Sequence, residues 1–122
     1  MGANLAQAKL TDANLESAKL VVANLSQTVI TRANLQQAKC VGANFSHAQL
    51  NFANLTHADL RDSDLSHAQL IGATLEGANL TGANLSHTNL SQANLKQADL
   101  TEATLQDTIY SHSTLPDGTI SP

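Results

Sequence analysis

Aromatic residues make up 2% of this 122-residue chain: Phe45, Phe52 and Tyr110, with no Trp. That excludes a core built around large aromatic anchors. Cysteine occurs once, as Cys40, which excludes an internal disulfide and a multi-cysteine metal site. No run approaches the roughly 18–20 apolar residues of a membrane span. The opening MGANLAQAKL has neither the basic start nor the apolar stretch of a signal peptide, and Ala6 replaces the hydroxyl residue of a myristoylation signal. The expectation is a soluble protein of the cytoplasm with no membrane partner. Six Lys and Arg residues form no basic stripe and have no aromatics between them, which argues against nucleic-acid binding.

What the chain has is Ala and Leu at fixed spacing. Every Leu falls on a multiple of five, from Leu5 to Leu115, and the remaining multiples hold Ile30, Cys40, Phe45, Tyr110 and Ile120. Two residues before each stands a small residue, Ala except at Thr28, Ser63, Thr88, Thr108, Ser113 and Gly118. Five residues advance an α-helix by about 500°, so the leucines would scatter around its axis. In one extended strand they would alternate faces, because five is odd. The pattern fits a chain that holds Ala and Leu inward over three extended residues, then turns on the next two.

A second period fixes the size of the coil. SHAQL occurs at 46–50 and 66–70, and SHTNL at 86–90. Ser26, Ser46, Ser66 and Ser86 share the twenty-residue spacing, as do His47, His67 and His87, and Val21 and Val41. Stacking favours like beside like, so twenty residues are one coil of four pentads. One coil cannot offset its own backbone ordering, and stacked coils share a core and a backbone ladder. The inward set includes Leu5, Leu25, Cys40, Phe45, Leu65, Leu85 and Tyr110.

The motif A-[N/D]-L-x-x resembles the pentapeptide-repeat family over almost the whole chain. The resemblance implies an all-β fold, the right-handed quadrilateral parallel β-helix, in a family most of whose members have no assigned biochemical role. The regular helix is expected over residues 1–105. Residues 106–122, containing Pro116 and the Asp117-Gly118 turn, are expected to form a degenerate last coil that caps the core. Cys40 and Phe45 read as a small-large pair that fills one layer.

The side chains outside the core suggest little chemistry. His47, His67 and His87 fall in one exterior column, about 4.8 Å apart. They are the weak candidates for a metal or pH-sensing site, although a metal needs its ligands to converge on one point. Ser, His and Asp recur, but on a convex rod they do not meet in a cleft, so no catalytic residue, cofactor or small-molecule substrate is expected. Val21, Val22 and Val41, and separately Phe52 and Ile71, are apolar residues at outward turn positions. They are the candidate interface for an unknown protein partner.

The expected function is therefore a non-enzymatic structural or protein-interaction module. One alternative, carried by the family resemblance, is a DNA-mimic regulator of a DNA topoisomerase or other DNA-binding protein. It draws only on acidic residues of the second half, among them Asp59, Asp62, Asp64, Asp99 and Glu102. Residues 1–50 carry a net +2 and residues 51–122 a net −6. That asymmetry, with no visible cap before residue 3, raises head-to-tail or edge self-association as a further expectation.

Overall fold

The pentad settles its own backbone, and residues 23–27 show how. Ala23 N–H donates to Leu20 O at 3.0 Å and closes a β-turn. Asn24 N–H donates back to Ala3 O in the preceding coil at 2.8 Å. Leu25 N–H and Gln27 N–H donate forward, to Asn44 O at 2.6 Å and Ser46 O at 2.9 Å. The remaining donor, Ser26 N–H, is taken by the Asn24 side chain at 3.0 Å. All five N–H groups are paired without an extended strand, as burial of the backbone requires.

The computed structural model describes residues 2–122. Each pentad contributes one bridging residue, and the bridges are parallel and twenty residues apart, from Asn4–Asn24 to Asn94–Thr114. Four turns separate the four bridged positions of each coil. The expectation of a coil of four pentads is met by this register. The β-structure is thinner than a conventional β-helix implies, because it consists of isolated bridges rather than strands.

Asn and Asp are frequent at the bridging position for a local reason. Their side-chain oxygen accepts the N–H two residues on, as Asn44 does from Ser46 at 2.9 Å and Asp64 from Ser66 at 2.9 Å. These Asx turns cap the one backbone donor that the ladder leaves over. Where Gln69 cannot serve, Asn51 of the preceding coil accepts the Ile71 N–H instead, at 2.9 Å.

The second turn residue has a left-handed backbone in every regular turn. Non-glycine examples include Gln27 (φ 58°), His67 (φ 60°), Val22 (φ 59°) and Phe52 (φ 61°). A positive φ at this position is the feature of a type II turn, which ordinarily selects Gly or Asn. Here most of the residues are neither.

Ala and Leu fill the interior. Leu25, Cys40, Phe45, Leu65 and Leu85 are fully buried, while Leu5 is only half-buried and packs against the core. Thr28, Ser63, Thr88 and Ser113 are buried in Ala positions because each hydroxyl donates to a core carbonyl. Thr28 and Ser63 use their own turns, at Leu25 O and Leu60 O. Thr88 and Ser113 reach the preceding coil, at Leu65 O and Leu90 O. Among the described residues no buried side-chain polar atom lacks a partner.

Tyr110 requires a correction. It occupies an inward register but is 46% exposed, because no further coil lies over it. Residues 106–114 keep the register of the coils before them, and the departure begins at Leu115. There Gly118 N–H closes a turn on Leu115 O, and Leu115 N–H donates to Thr119 O at 2.7 Å. This loop is one residue longer than a regular turn. Ile120 therefore pairs antiparallel with Thr114 instead of continuing inward, and it is exposed.

Candidate functional site

The three histidines do stand in one column, in a geometry that decides their chemistry. The rings of His47 and His67 are stacked with centroids 4.7 Å apart and 4° between planes, and His67 and His87 are stacked at 4.7 Å and 8°. An imidazole binds a metal through an in-plane lone pair, so parallel, stacked rings cannot aim at one ion. Among the described residues no three His, Cys, Asp or Glu side chains gather as a metal group. The column continues into Asp107, whose carboxylate lies 3.8 Å from His87 Nε2. At the other end Gln7 donates to Gln27 at 3.0 Å. It is a polar ladder along one edge.

Cys40 is sealed in the core. Burial, with the Asp59 charge as a smaller contribution, pushes its thiol up to about 12. It is a packing group and not a nucleophile at neutral pH.

The acidic residues of the second half are interrupted. Arg61 donates to both oxygens of Asp59, at 2.8 and 2.7 Å, and this holds the Asp59 carboxyl below its ordinary value. Arg61 thus stands among Asp59, Asp62 and Asp64.

The two apolar groups lie half a coil apart, on opposite sides of the rod. On one side Phe52 N–H donates to Ile71 O at 2.9 Å, and Phe52 is 59% exposed while Ile71 is half-buried. On the other, Val22 N–H donates to Val41 O at 2.9 Å; Val21 and Val22 are 50% and 61% exposed and Val41 is half-buried. Each group is held against a glycine one coil on. A Cβ on Gly72 would meet Phe52, and one on Gly42 would come 3.6 Å from Val22 Cγ2. Sequence reasoning found these residues by their wrong polarity for a turn. It missed that both Phe52 and Val22 are held at positive φ.

The repeat recurs in known proteins. Models of pentapeptide repeats match residues 1–37, 29–66, 38–77 and 78–109, in eight copies. The chain belongs to the pentapeptide repeat family. It is 33% identical to a pentapeptide repeat protein of the Arabidopsis thaliana thylakoid lumen, with a TM-score of 0.78 over 81% of this chain and 69% of that one. It is 35% identical to HetL of Nostoc sp. strain PCC 7120, a pentapeptide repeat protein involved in heterocyst differentiation regulation. That match has a TM-score of 0.50 and covers 98% of this chain and 65% of HetL. A pentapeptide repeat protein of the cyanobacterium Cyanothece 51142 is 28% identical, with a TM-score of 0.57 over 99% of this chain and 89% of that one. No curated protein sequence matches significantly.

Proposed function

We propose that this pentapeptide repeat protein is a non-enzymatic protein-interaction module, a stiff rod that binds an apolar protein surface through its turns. In this reading the coils wind as the right-handed quadrilateral β-helix, and the protein acts in the cytoplasm. The supporting observation is the pair Phe52 and Val22. Each is a large apolar side chain, mostly exposed, on a backbone with φ near 60°. A left-handed non-glycine residue costs about 1–3 kcal/mol, and a β-branched one such as Val22 is the least suited to it. Neither side chain recovers that cost by burial, so folding gives no reason for its choice. Contact with a partner does.

Duplex mimicry has less support, because Arg61 breaks the acidic surface it needs.

The test exploits the same strain. Asn tolerates the left-handed region, so Phe52→Asn is expected to leave stability equal or higher. Affinity capture from native lysate with the intact protein and with Phe52→Asn should then show a protein retained by the first and lost by the second. Unchanged capture would remove Phe52 from the interface, and a destabilised variant would mean that Phe52 serves the fold.

A further inference from the structure

We infer that the face carrying Lys19, Lys39 and Asp99 binds a second copy of this chain, the two rods lying side by side and antiparallel about a two-fold axis. LESAKL at 15–20 and LKQADL at 95–100 stand on this face at corresponding places of different coils. They carry opposite signs in the same positions, Glu16 against Lys96 at the corner and Lys19 against Asp99 in the bridging column. That column is continuous: Lys19 bridges Lys39, Lys39 bridges Asp59, Asp59 bridges Asn79 and Asn79 bridges Asp99. Glu16, Lys19, Lys39, Lys96 and Asp99 are all exposed.

Within one chain this face is left uncompensated. Lys19 and Lys39 lie directly beside each other in the ladder, an arrangement of like charges that costs stability. The next acid in the column, Asp59, is occupied through both oxygens by Arg61. Among the described residues neither lysine has an ion-pair partner. Their counter-charge has to come from outside the chain.

A second copy supplies it. A two-fold axis lying across the third coil of this face reverses the rod and keeps each corner on its own side. The coil of Lys19 then meets that of Asp99, and the coil of Lys39 meets that of Asn79. Glu16 faces Lys96 and Lys19 faces Asp99, each contact made twice. Lys39 faces the coil that holds Glu76. Val21 and Val41 face Thr101 and Thr81, and Gly42 faces Gly82, which lets the corners approach. The Asp59–Arg61 pairs of both copies meet at the centre. A parallel arrangement would instead set Lys19 on Lys19 and Lys39 on Lys39.

The other charges do not oppose this pairing strongly. Asp62 and Glu102 border the face without an opposite charge, but both are second turn residues, on the side of the corner that opens the next face. Asp117 stands one step beyond the coil of Asp99. Lys9, Asp12, Arg32, Asp64 and Asp107 belong to other faces, and Asp12 is paired with Arg32 at 2.9 Å. Lys19 and Asp99 are about 19 Å apart along the rod, so the contact is small and the dimer weak and salt-sensitive. Phe52 lies off this face, and the inference does not rest on the partner proposed for it.

Sedimentation equilibrium of the full chain at low and high salt tests this through a charge exchange. Glu16→Lys and Lys96→Glu are the variants, because among the described residues neither side chain makes a hydrogen bond or ion pair, whereas the Asp99 carboxylate caps Thr101 at 3.0 and 2.6 Å. At low salt the intact protein should approach a dimer's mass, and no more, as concentration rises. At high salt it should return to one copy. Each single variant should associate about tenfold more weakly, with unchanged thermal melting. Mixed in equal amounts, the two variants should recover the dimer, because position 16 of each then faces position 96 of the other with opposite sign. An intact protein that stays monomeric at low salt would overturn the proposal and leave the face to a different chain. So would single variants that associate as the intact protein does, or a mixture no stronger than its components.

Discussion

A Cβ added to Gly72 would stand 2.5 Å from Cε1 of Phe52, so the phenyl ring occupies the space a side chain would need one coil later. The same relation links His57 to Gly77 and Asp62 to Gly82, at 2.4 and 2.3 Å. Glycine at this second turn position serves two needs at once: a left-handed φ of +67° at Gly72 and room for the side chain of the preceding coil.

Gly72→Ala should therefore destabilise the protein by about 1–2 kcal/mol from the backbone alone, because the Phe52 ring is exposed and can swing away. The displaced ring would show as altered proton shifts near Ile71. In a Phe52→Asn background the shift change should vanish and most of the stability loss should remain. Urea unfolding of the intact protein, the two single variants and the double variant measures this, and a loss that disappears with the ring would place the cost in the clash instead.

Cys40 should not react with an aromatic disulfide reagent in the folded protein. Its thiol is pushed up to about 12 by burial, so thiolate is scarce at neutral pH and out of reach. Reaction should follow unfolding by denaturant. Stoichiometric labelling of the native protein at the rate of a free thiol would contradict the buried placement.

Asn84 accepts both the backbone N–H of Ser86, at 3.0 Å, and its hydroxyl, at 2.6 Å. Asn84→Ala should cost about 1 kcal/mol or somewhat more, since it strips the one turn donor that the ladder does not use. Asn84→Asp should cost much less, because Asp64 makes the same backbone contact one coil earlier. Equal losses for Ala and Asp would show that the Asx turn does not carry the effect.

Asp59 has its folded-state carboxyl held low, mainly by the side-chain hydrogen bond from Arg61. A depressed carboxyl contributes stability that is present above the unfolded value, about pH 4, and is lost as pH falls through the folded value. The pair is largely exposed, so the contribution is small and salt-sensitive. Arg61→Ala should flatten the fall in stability below about pH 4, as measured by thermal melts at low salt. An unchanged acid slope would mean that the pair contributes nothing in solution.

The coil was legible because its two periods are written in different residues. Leu at every fifth position marks the inward face, and columns such as Ser46, Ser66 and Ser86 mark the stacking interval. The bridges confirm that interval residue by residue, Asn44 with Asp64 and Asp64 with Asn84. The left-handed turns were not legible, because Gln27, His67 and Phe52 are not residues that advertise a positive φ. Only the glycines at 42, 72, 77 and 82 hint at it. The ladder imposes the conformation and overrides local preference. Tyr110 departs from its expected burial for a related reason. Periodicity assigns it an inward direction, but burial depends on a neighbouring coil, and the extra residue in the Leu115–Thr119 loop turns the chain back before one forms. The histidine column could be placed by counting; the parallel stacking that prevents a shared metal could not.

The forward and backward hydrogen bonds are unequal in number, and this gives the rod an electrical polarity. In the pentad of Leu25, two N–H groups point toward the C-terminal end, those of Leu25 and Gln27, and one points back, that of Asn24. Each peptide carries a dipole of about 3.5 D, so the surplus sums along the axis with its positive pole at the C-terminal end. An α-helix has the opposite sense. The acidic residues Asp99, Glu102, Asp107 and Asp117 sit at that positive pole, whereas the first coil balances Lys9 and Lys19 against Asp12 and Glu16. The acidic C-terminal coils, which look arbitrary along the chain, oppose the field of its own backbone at the pole where that field is positive.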